Sequence, residues 1–549
     1  MMPMLLHPKI RALLKERGIE KEDDIKELLS SKPQKTYDPF LMKGMKEGVD
    51  FLLERIGENK KICIYGDYDA DGITSIAILY SILSRLTDNL TYYIPSRFNE
   101  GYGLNKESLK KLRGKGVDVI LTVDLGSTSH KEIEYGKTLG LEFLITDHHT
   151  AESTDLGCIF INPKQEDCTY PFKYLAGCGV AYKLAQGLQR KSDLPKSVIN
   201  ELLDVLCIGT VGDIVPLLDE NRTFVKYGLQ KINENGRKSI VAIREAACIN
   251  EREILAEHIS FIIAPLINSA GRLEDAKTAY EVLVLDDEVL LKEKVARLLA
   301  LNRLRKELQE EGVKKLVSKI EVEPDNLIHL VYDETVHEGV AGIIAGKLKD
   351  MYERPVCVIT PFEEGVKGTA RSVKGINLYN LLKKNEGFFK KFGGHAMACG
   401  FTMEKEDIEA LKEKLNEDLE EFLDEFPETF IRDDKEDLNM EINEIDMDFI
   451  DELNRLGPFG EGWRKPSIKI HNISFSDVYR MGMRGRYFRF KMRDGKGGVL
   501  RGVCFRNAEL LLNTINQEDR FTVTGAIEIN EFNSSKALQF NMEAVQRED

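Results

Sequence analysis

Long apolar runs are missing from this chain of 549 residues. FIIAPLI, at 261–267, is among the longest. A membrane-spanning helix needs about 18 or more such residues, so the sequence excludes a membrane protein. Cysteine is scarce, nine residues with none in a C-x-x-C pair. That odd, scattered set argues against zinc ribbons and against a disulfide framework. Most cysteines, such as Cys63 in KICIYG, sit in apolar runs, as reduced core residues would. The N-terminal stretch MMPMLLHPKIRALLKERG reaches Lys9 and Arg11 before any signal-type apolar segment. Together these absences point to the cytosol.

Positive charge is in deficit as well: 77 Lys+Arg stand against 92 Asp+Glu, a net of −15. Spread evenly, that charge would argue against a nucleic-acid binder, because phosphate contacts need Lys and Arg. The spread is uneven. Residues 404–452 carry 22 acidic and 5 basic side chains, which leaves the other 500 residues near +2. The segment reads as a solvated helical face and connector, with a DNA mimic covering a basic groove as the alternative. Residues 480–506 hold nine Lys/Arg against Asp494 alone. Arg480, Arg484, Arg486, Arg489 and Lys491 are interleaved there with Tyr487, Phe488, Phe490 and Phe505. Cations that track phosphates and rings that stack on bases make a single-strand binding surface. A solvated strand face over core aromatics fits the same pattern.

With 42% hydrophobic and 31% charged residues the chain is an ordinary globular protein, long enough for three or more domains. Residues 1–45 read as a helical segment. From 46 to 285 strand-like runs (KICIY, LTYYIP, DVILTVDLG, EFLITDHH, CIFINP) alternate with amphipathic stretches and give way to helices, predicting an α/β domain on a parallel sheet. Residues 286–322 repeat apolar positions at helical spacing without proline, predicting a long connecting helix. A smaller α/β domain follows at 323–425, then an acidic connector at 426–464. Short alternating strands at 465–549 predict a small β-barrel.

The chemistry concentrates at strand ends. KICIYGDYDADGITS runs from a buried strand into Asp67, Asp69 and Asp71, then a glycine turn and a helix start. Ligands bind at this end of a doubly wound sheet. Alternate residues of a strand share a face, so three carboxylates there would repel unless a cation neutralised them. An N-cap role could account for one of the three. The segment is not an EF-hand loop, because its twelfth position is Ile78 rather than Glu. Asp124 in DVILTVDLGS and Asp147-His148-His149 in EFLITDHHT end two further strands, and Asp213 follows the apolar stretch of VLCIGTVGDIVPL. Carboxylates and imidazole without thiolate suit Mn²⁺ or Mg²⁺ better than zinc or copper. Their number suggests two ions about 3.5–4 Å apart, which would activate water and stabilise a leaving phosphoester oxygen.

GDYDADG, the Asp124 strand end, DHH and GDIVPL resemble the four motifs of the DHH phosphoesterase superfamily. SRFNEGYGLN, LAGCGVAYKLAQ, NSAGRLEDA, HEGVAGIIAGKL, GTARSVKGINLYNLL and FGGHAMACGF follow in order and are similar to that superfamily's single-stranded-DNA-specific exonucleases. The resemblance implies metal ligands Asp69, Asp71, Asp124, His148 and Asp213, with Asp124 bridging. It places Asp67 and Asp147 beside the ions and His149 at the scissile phosphate, as a hydrogen-bond or proton donor. Arg97 and Arg272 would hold phosphates near the cleaved end. Arg371, Ser372, Gly393, Gly394 and His395 would be the substrate motifs of a DHHA1-type second domain, with backbone N–H groups of GGH near a phosphate. The barrel would be an OB fold.

The implied activity is 5′→3′ exonucleolytic release of 5′-mononucleotides from single-stranded DNA, in repair and recombination, with a helicase and a single-strand-binding protein as partners. The alternatives are a DHH phosphodiesterase on short oligonucleotides or cyclic dinucleotides, and a non-catalytic DHH scaffold. Leu266 stands where the family usually has Arg, Trp463 where Asn is typical, with an effect expected at the mouth of the barrel, and LGSTS after Asp124 also differs. None of these removes an implied metal ligand.

Overall fold

The protein is described from a computed structural model covering residues 6–548, apart from 152–154, 250–252, 364, 431–436, 483–486, 506–510, 513, 516–518 and 533–534. Arg484 and Arg486 therefore lie outside the described residues. Three sheets organise the chain. The first holds β1 (Ile62–Gly66), β2 (Leu90–Tyr93), β3 (Val119–Val123), β4 (Glu142–Thr146) and β5 (Ile159–Ile161), all parallel, in the order β2-β1-β3-β4-β5. Its strands are apolar on both faces for a reason. Ile62, Ile64, Val119, Leu121 and Val123 face one core and Cys63, Tyr65 and Ile120 the other, as a helix-covered parallel sheet requires.

The helix Glu288–Ile320 is 33 residues long, about 50 Å, and serves two cores. Leu291, Val295, Leu298 and Leu301 belong to the first domain's core, while Val313, Leu316 and Ile320 pack with the second domain. It is a shared beam, capped at its start by Asp287, which accepts from the N–H of Val289 and Leu290.

The second domain's sheet comprises β6 (His329–Tyr332), β7 (Val356–Phe362), β8 (Gly365–Arg371), β9 (Lys391–His395) and β10 (Ala398–Met403), in the order β6-β7-β8-β10-β9. The C-terminal strands are β11 (Leu438–Asn439), β12 (Ile468–Met481), β13 (Tyr487–Arg493), β14 (Val499–Cys504), β15 (Phe521–Phe532) and β16 (Ser535–Arg547). A β12–β15 pairing closes the last five into a barrel. Helices Pro8–Glu16 and Glu22–Leu29 have no core of their own. Ile10, Leu13, Leu14 and Ile25 pack with the barrel's Phe488, Phe521 and Phe540 and with Phe449 and Ile450. Arg17 adds an ion pair to Asp437 at 2.9 Å.

Two expectations about the C-terminal unit are corrected. In β13 the pleat sends Phe488 and Phe490 into the core, 1% and 2% exposed, and leaves Arg489 outside. The interleaving of ring and cation is thus partly the period of a strand. Among the described residues of the barrel the exposed aromatics are Tyr479 and Phe505. Arg489 lies over the Tyr479 ring at 5.4 Å, and Lys491 is paired with Asp477 at 2.5 Å. Trp463 is not at a barrel mouth. It is buried at a seam between domains, between the guanidinium groups of Arg17 (4.9 Å) and Arg222 (5.6 Å).

Candidate active site

The carboxyl ends of β1, β3 and β4 meet the start of the helix Ala70–Leu83 and the end of the helix Leu203–Gly212. Asp69 is the N-cap of the first helix, accepting from the N–H of Asp71 and Gly72, and Asp71 sits in its first turn. Asp67, Asp69 and Asp71 therefore converge by a helix start, not by alternation along a strand. Gly72 is required there, since a Cβ would strike the Asp67 backbone at 2.5 Å. Asp124 leaves β3 with φ +59, a left-handed conformation that turns its carboxylate into the cleft. Gly177 lets a neighbouring helix abut it, because a Cβ would lie 2.7 Å from the Asp124 Cβ. Asp213 is the C-cap of the helix Leu203–Gly212.

These side chains meet around His148. Its Nε2 lies 3.1 Å from Asp124 Oδ1, 3.5 Å from Asp213 Oδ2 and 3.7 Å from Asp71 Oδ2. Asp67, Asp69 and Asp124 form an adjoining group with ligand atoms within 4.8 Å of one another. Asp71 is oriented by the N–H groups of Gly177 (2.6 Å) and Cys178 (2.8 Å). Asp147 accepts from the N–H groups of Ser127, His148 and His149 and from His149 Nδ1 at 2.8 Å. It is a support for the two histidines. Tyr102 Oη stands 3.4 Å from His149 Nδ1.

The electrostatics are those of a receptor for cations. Burial, then the charge of Asp69, raises the Asp71 carboxyl to about 6. Asp67, Asp124 and Asp213 are raised well above the carboxylate range by burial and then by neighbouring carboxylates. Burial, then the charge of His149, lowers His148 to about 3, leaving a neutral imidazole, the form that ligates. Burial pushes Asp147 up, but the hydrogen bond and charge of His149 outweigh it and hold it below the usual range. His149 moves upward in return, its bond to Asp147 overcoming burial. Asp67 Oδ1, Asp124 Oδ1, His148 Nε2 and Asp213 Oδ2 are buried without a hydrogen-bond partner. Buried acceptors left unpaired at a confluence of carboxylates fit divalent ions.

Beside the acids stands a cluster of the opposite sign. Arg272 is lowered to about 9, by burial first and then by Arg97 and Arg305. Arg371 is lowered by burial and Arg97. The Arg97 guanidinium lies over the Tyr68 ring at 4.4 Å. These four arginines come from the first domain, the long helix and β8. Two glycines of HEGVAG let the domains close around them. A Cβ at Gly339 would collide with the Arg272 carbonyl, and one at Gly342 would lie 2.9 Å from Arg371 Nη2.

The other residues singled out in the second domain are placed differently. Ser372 is buried and its hydroxyl donates to the Ile376 carbonyl at 2.7 Å, so it holds its own turn. Gly393 and Gly394 lie in the exposed strand β9, Gly394 with φ +145. His395 is lowered by burial, then by Arg371 and by His149 across the cleft. Leu266 is a core residue. Tyr102, Lys164 and Arg305 were not singled out by sequence. Tyr102 lies inside a quoted motif. Lys164, lowered by burial, faces Asp213 and Asp147. Arg305 carries no signal beyond its place in a charged helix.

Comparison with known proteins agrees with this geometry. Residues 61–210 match the DHH family N-terminal domain, 314–421 the DHHA1 domain and 436–544 the RecJ OB domain. The chain is 36% identical to the single-stranded-DNA-specific exonuclease RecJ of Bacillus subtilis, over 97% of this chain and 67% of that protein. It is 30% identical to RecJ of Escherichia coli, over 98% and 96% respectively. The chain belongs to the RecJ family. A crystal structure of RecJ from Thermus thermophilus in complex with Mn²⁺ superposes with a TM-score of 0.84 at 28% identity, covering 99% of this chain and 76% of that one. A second, of exonuclease RecJ bound to manganese, gives 0.62 at 33% identity over 70% and 97%. The RecJ-type architecture expected from sequence is the one observed: a DHH domain on a parallel sheet, a long helix, a DHHA1 domain and a barrel.

Proposed function

We propose that this chain is a metal-dependent 5′→3′ exonuclease on single-stranded DNA that releases 5′-mononucleotides, in DNA repair and recombination. One observation carries the reading: buried, unpaired acid and imidazole atoms lie beside a half-buried cluster of mutually repelling arginines. Asp69, Asp71, Asp124, His148 and Asp213 would hold the metals, with Asp67 beside them. Bound there, divalent ions supply a hydroxide-like nucleophile at neutral pH and neutralise charge on the phosphoryl oxygens. The chain's residues do the rest. Asp147 orients His149 and favours its protonated form, so that His149 can donate to the scissile phosphate. Arg97, Arg272, Arg305 and Arg371 would clamp the terminal 5′-phosphate, and that pocket sets polarity. His395 and the N–H groups of Gly393 and Gly394 would line the opposite wall. Arg480, Arg489 and the exposed rings Tyr479 and Phe505 would extend the grip on longer strands.

A single-strand enzyme needs a helicase to supply its substrate and meets single-strand-binding protein on it; we include both as partners. Nine scattered cysteines, none in a C-x-x-C pair, support a reducing, cytosolic setting. The deciding test is digestion of single and double strands labelled at either end, with Mn²⁺. Labelled mononucleotide appearing first from the 5′ end of single strands is expected. An intact single strand would remove the enzymatic reading, and cleavage limited to dinucleotides would favour a small-substrate phosphodiesterase.

A further inference from the structure

Asp213 is held differently from Asp69, Asp71 and Asp147. Asp69, Asp71 and Asp147 are fixed by hydrogen bonds from backbone N–H groups. Among the described residues the Asp213 carboxylate receives no hydrogen bond, and its Oδ2 is buried and unpaired. No backbone N–H orients it, and its own backbone is strained at the next residue, Ile214, with φ +59. Four residues on, the chain reaches Leu217, which is buried. What covers it belongs to the far end of the sequence.

The turn Leu456–Trp463, which precedes the barrel, sits on this segment. Leu217 N–H donates to the Glu461 carbonyl at 2.8 Å. A Cβ at Gly460 would lie 2.7 Å from Leu217 Cδ1, and one at Gly462, already at φ +67, 2.9 Å from the Pro216 Cβ. The turn is itself locked. Trp463 Nε1 donates to the Leu456 carbonyl at 2.8 Å. The Arg222 guanidinium, from the helix that follows the Asp213 segment, donates to the carbonyls of Leu456 (2.6 Å), Gly457 and Pro458 (3.0 Å). On the inner side Asn221 Nδ2 donates to the Pro216 carbonyl at 3.0 Å.

We propose that the turn 456–463 is a brace for Asp213, so that the C-terminal unit completes the metal site as well as gripping DNA. Gly460, Gly462 and Trp463 are positioning residues acting through Pro216 and Leu217. The inference rests on reading Asp213 as a metal ligand. Disturbing groups that orient a ligand commonly costs about 10–100-fold in metal affinity or activity.

The test is Mn²⁺ binding by the metal-free full-length protein, followed by calorimetry, together with kcat and KM on a dinucleotide too short to reach the barrel. Gly462→Ala and Gly460→Ala are compared with Gly57→Ala, a control whose Cβ meets nothing. Unchanged circular dichroism and melting midpoint define a folded variant. We expect both brace variants to bind Mn²⁺ about 10-fold or more weakly, with kcat on the dinucleotide falling and KM little changed. Should Gly462→Ala fail to fold, Gly460→Ala decides, since its methyl crowds the buried Leu217 side chain but no backbone. Folded brace variants with wild-type Mn²⁺ affinity and dinucleotide kcat overturn the brace. A wild-type protein that binds no Mn²⁺ overturns the metal-site reading itself, and the control would behave the same way.

Discussion

Two like-charge clusters face each other in the cleft, and they are built differently. The carboxylates hang on strand ends and helix termini of one domain, fixed mostly by backbone N–H groups. The arginines come from two domains and the beam between them, and among the described residues the Arg272 guanidinium reaches only the Gly339 carbonyl, at 3.5 Å. Each cluster repels itself, as buried like charges must. The first is a rigid receptor for cations. The second exists only while the two domains stand at this distance, so it can also report that distance. A metal site can thus be preformed within one domain while the terminal-phosphate site depends on the whole molecule.

The largest effect should come from the carboxylate side. Asp124→Ala is expected to lower cleavage by about 10³-fold or more, because it removes the implied bridge between ions, while strand binding by gel shift changes little. Near-normal activity would break the asymmetry drawn above. Metal-free Asp124→Asn should melt higher than the metal-free wild type, since one repelling charge is gone.

The second effect is a pH dependence. Asp71, raised to about 6, and its raised neighbours bind protons more tightly folded than unfolded. Their contribution is fully present below about pH 4 and is lost as pH rises through 6 and beyond. Metal-free protein should lose thermal stability across that window, and Mn²⁺ should raise the melting midpoint more at pH 8 than at pH 5. An equal rise at both would mean the carboxylates are not the site of binding.

Next in size, Arg272→Ala should reduce kcat/KM on a 5′-phosphorylated strand about 10–100-fold, one charge-assisted hydrogen bond being worth ~1.5–3 kcal/mol. The loss should shrink on a 5′-hydroxyl strand. Equal losses on both would separate Arg272 from the terminal phosphate. The smallest effect is in the barrel. Arg489→Glu should weaken long-strand binding and flatten the salt dependence by about one phosphate contact, and Lys491→Glu less, because Asp477 already neutralises Lys491.

Much of this was legible in the sequence because its signals are local. An apolar run ending in Asp67, Asp124 or Asp147 announces both a parallel strand and its ligand-binding end. What failed was whatever depended on local geometry finer than a motif or on contacts far along the chain. Asp69 and Asp71 share a site with Asp67 through a helix N-terminus, which a strand-alternation argument cannot see. Phe488 and Phe490 look like base-stacking rings beside cations until the pleat sorts them inward. Arg305 joins its cluster only because a 33-residue helix shared by two domains carries it there. Trp463 could not be placed at all without Arg17 and Arg222, which are remote from it in sequence.

The shared core of the first helices and the barrel has a consequence in time. A ribosome makes Ile10, Leu13 and Leu14 more than 400 residues before their partners between Leu438 and Met542. At about 5–20 residues per second the early helices wait roughly 20–80 s for those partners. Through that interval their apolar faces lack their native cover, while both DHH and DHHA1 domains can already have folded beside them. Synthesis of the barrel then joins segments more than 400 residues apart into one body, and a nascent chain stalled before residue 438 would carry a complete catalytic sheet and sticky, uncovered early helices.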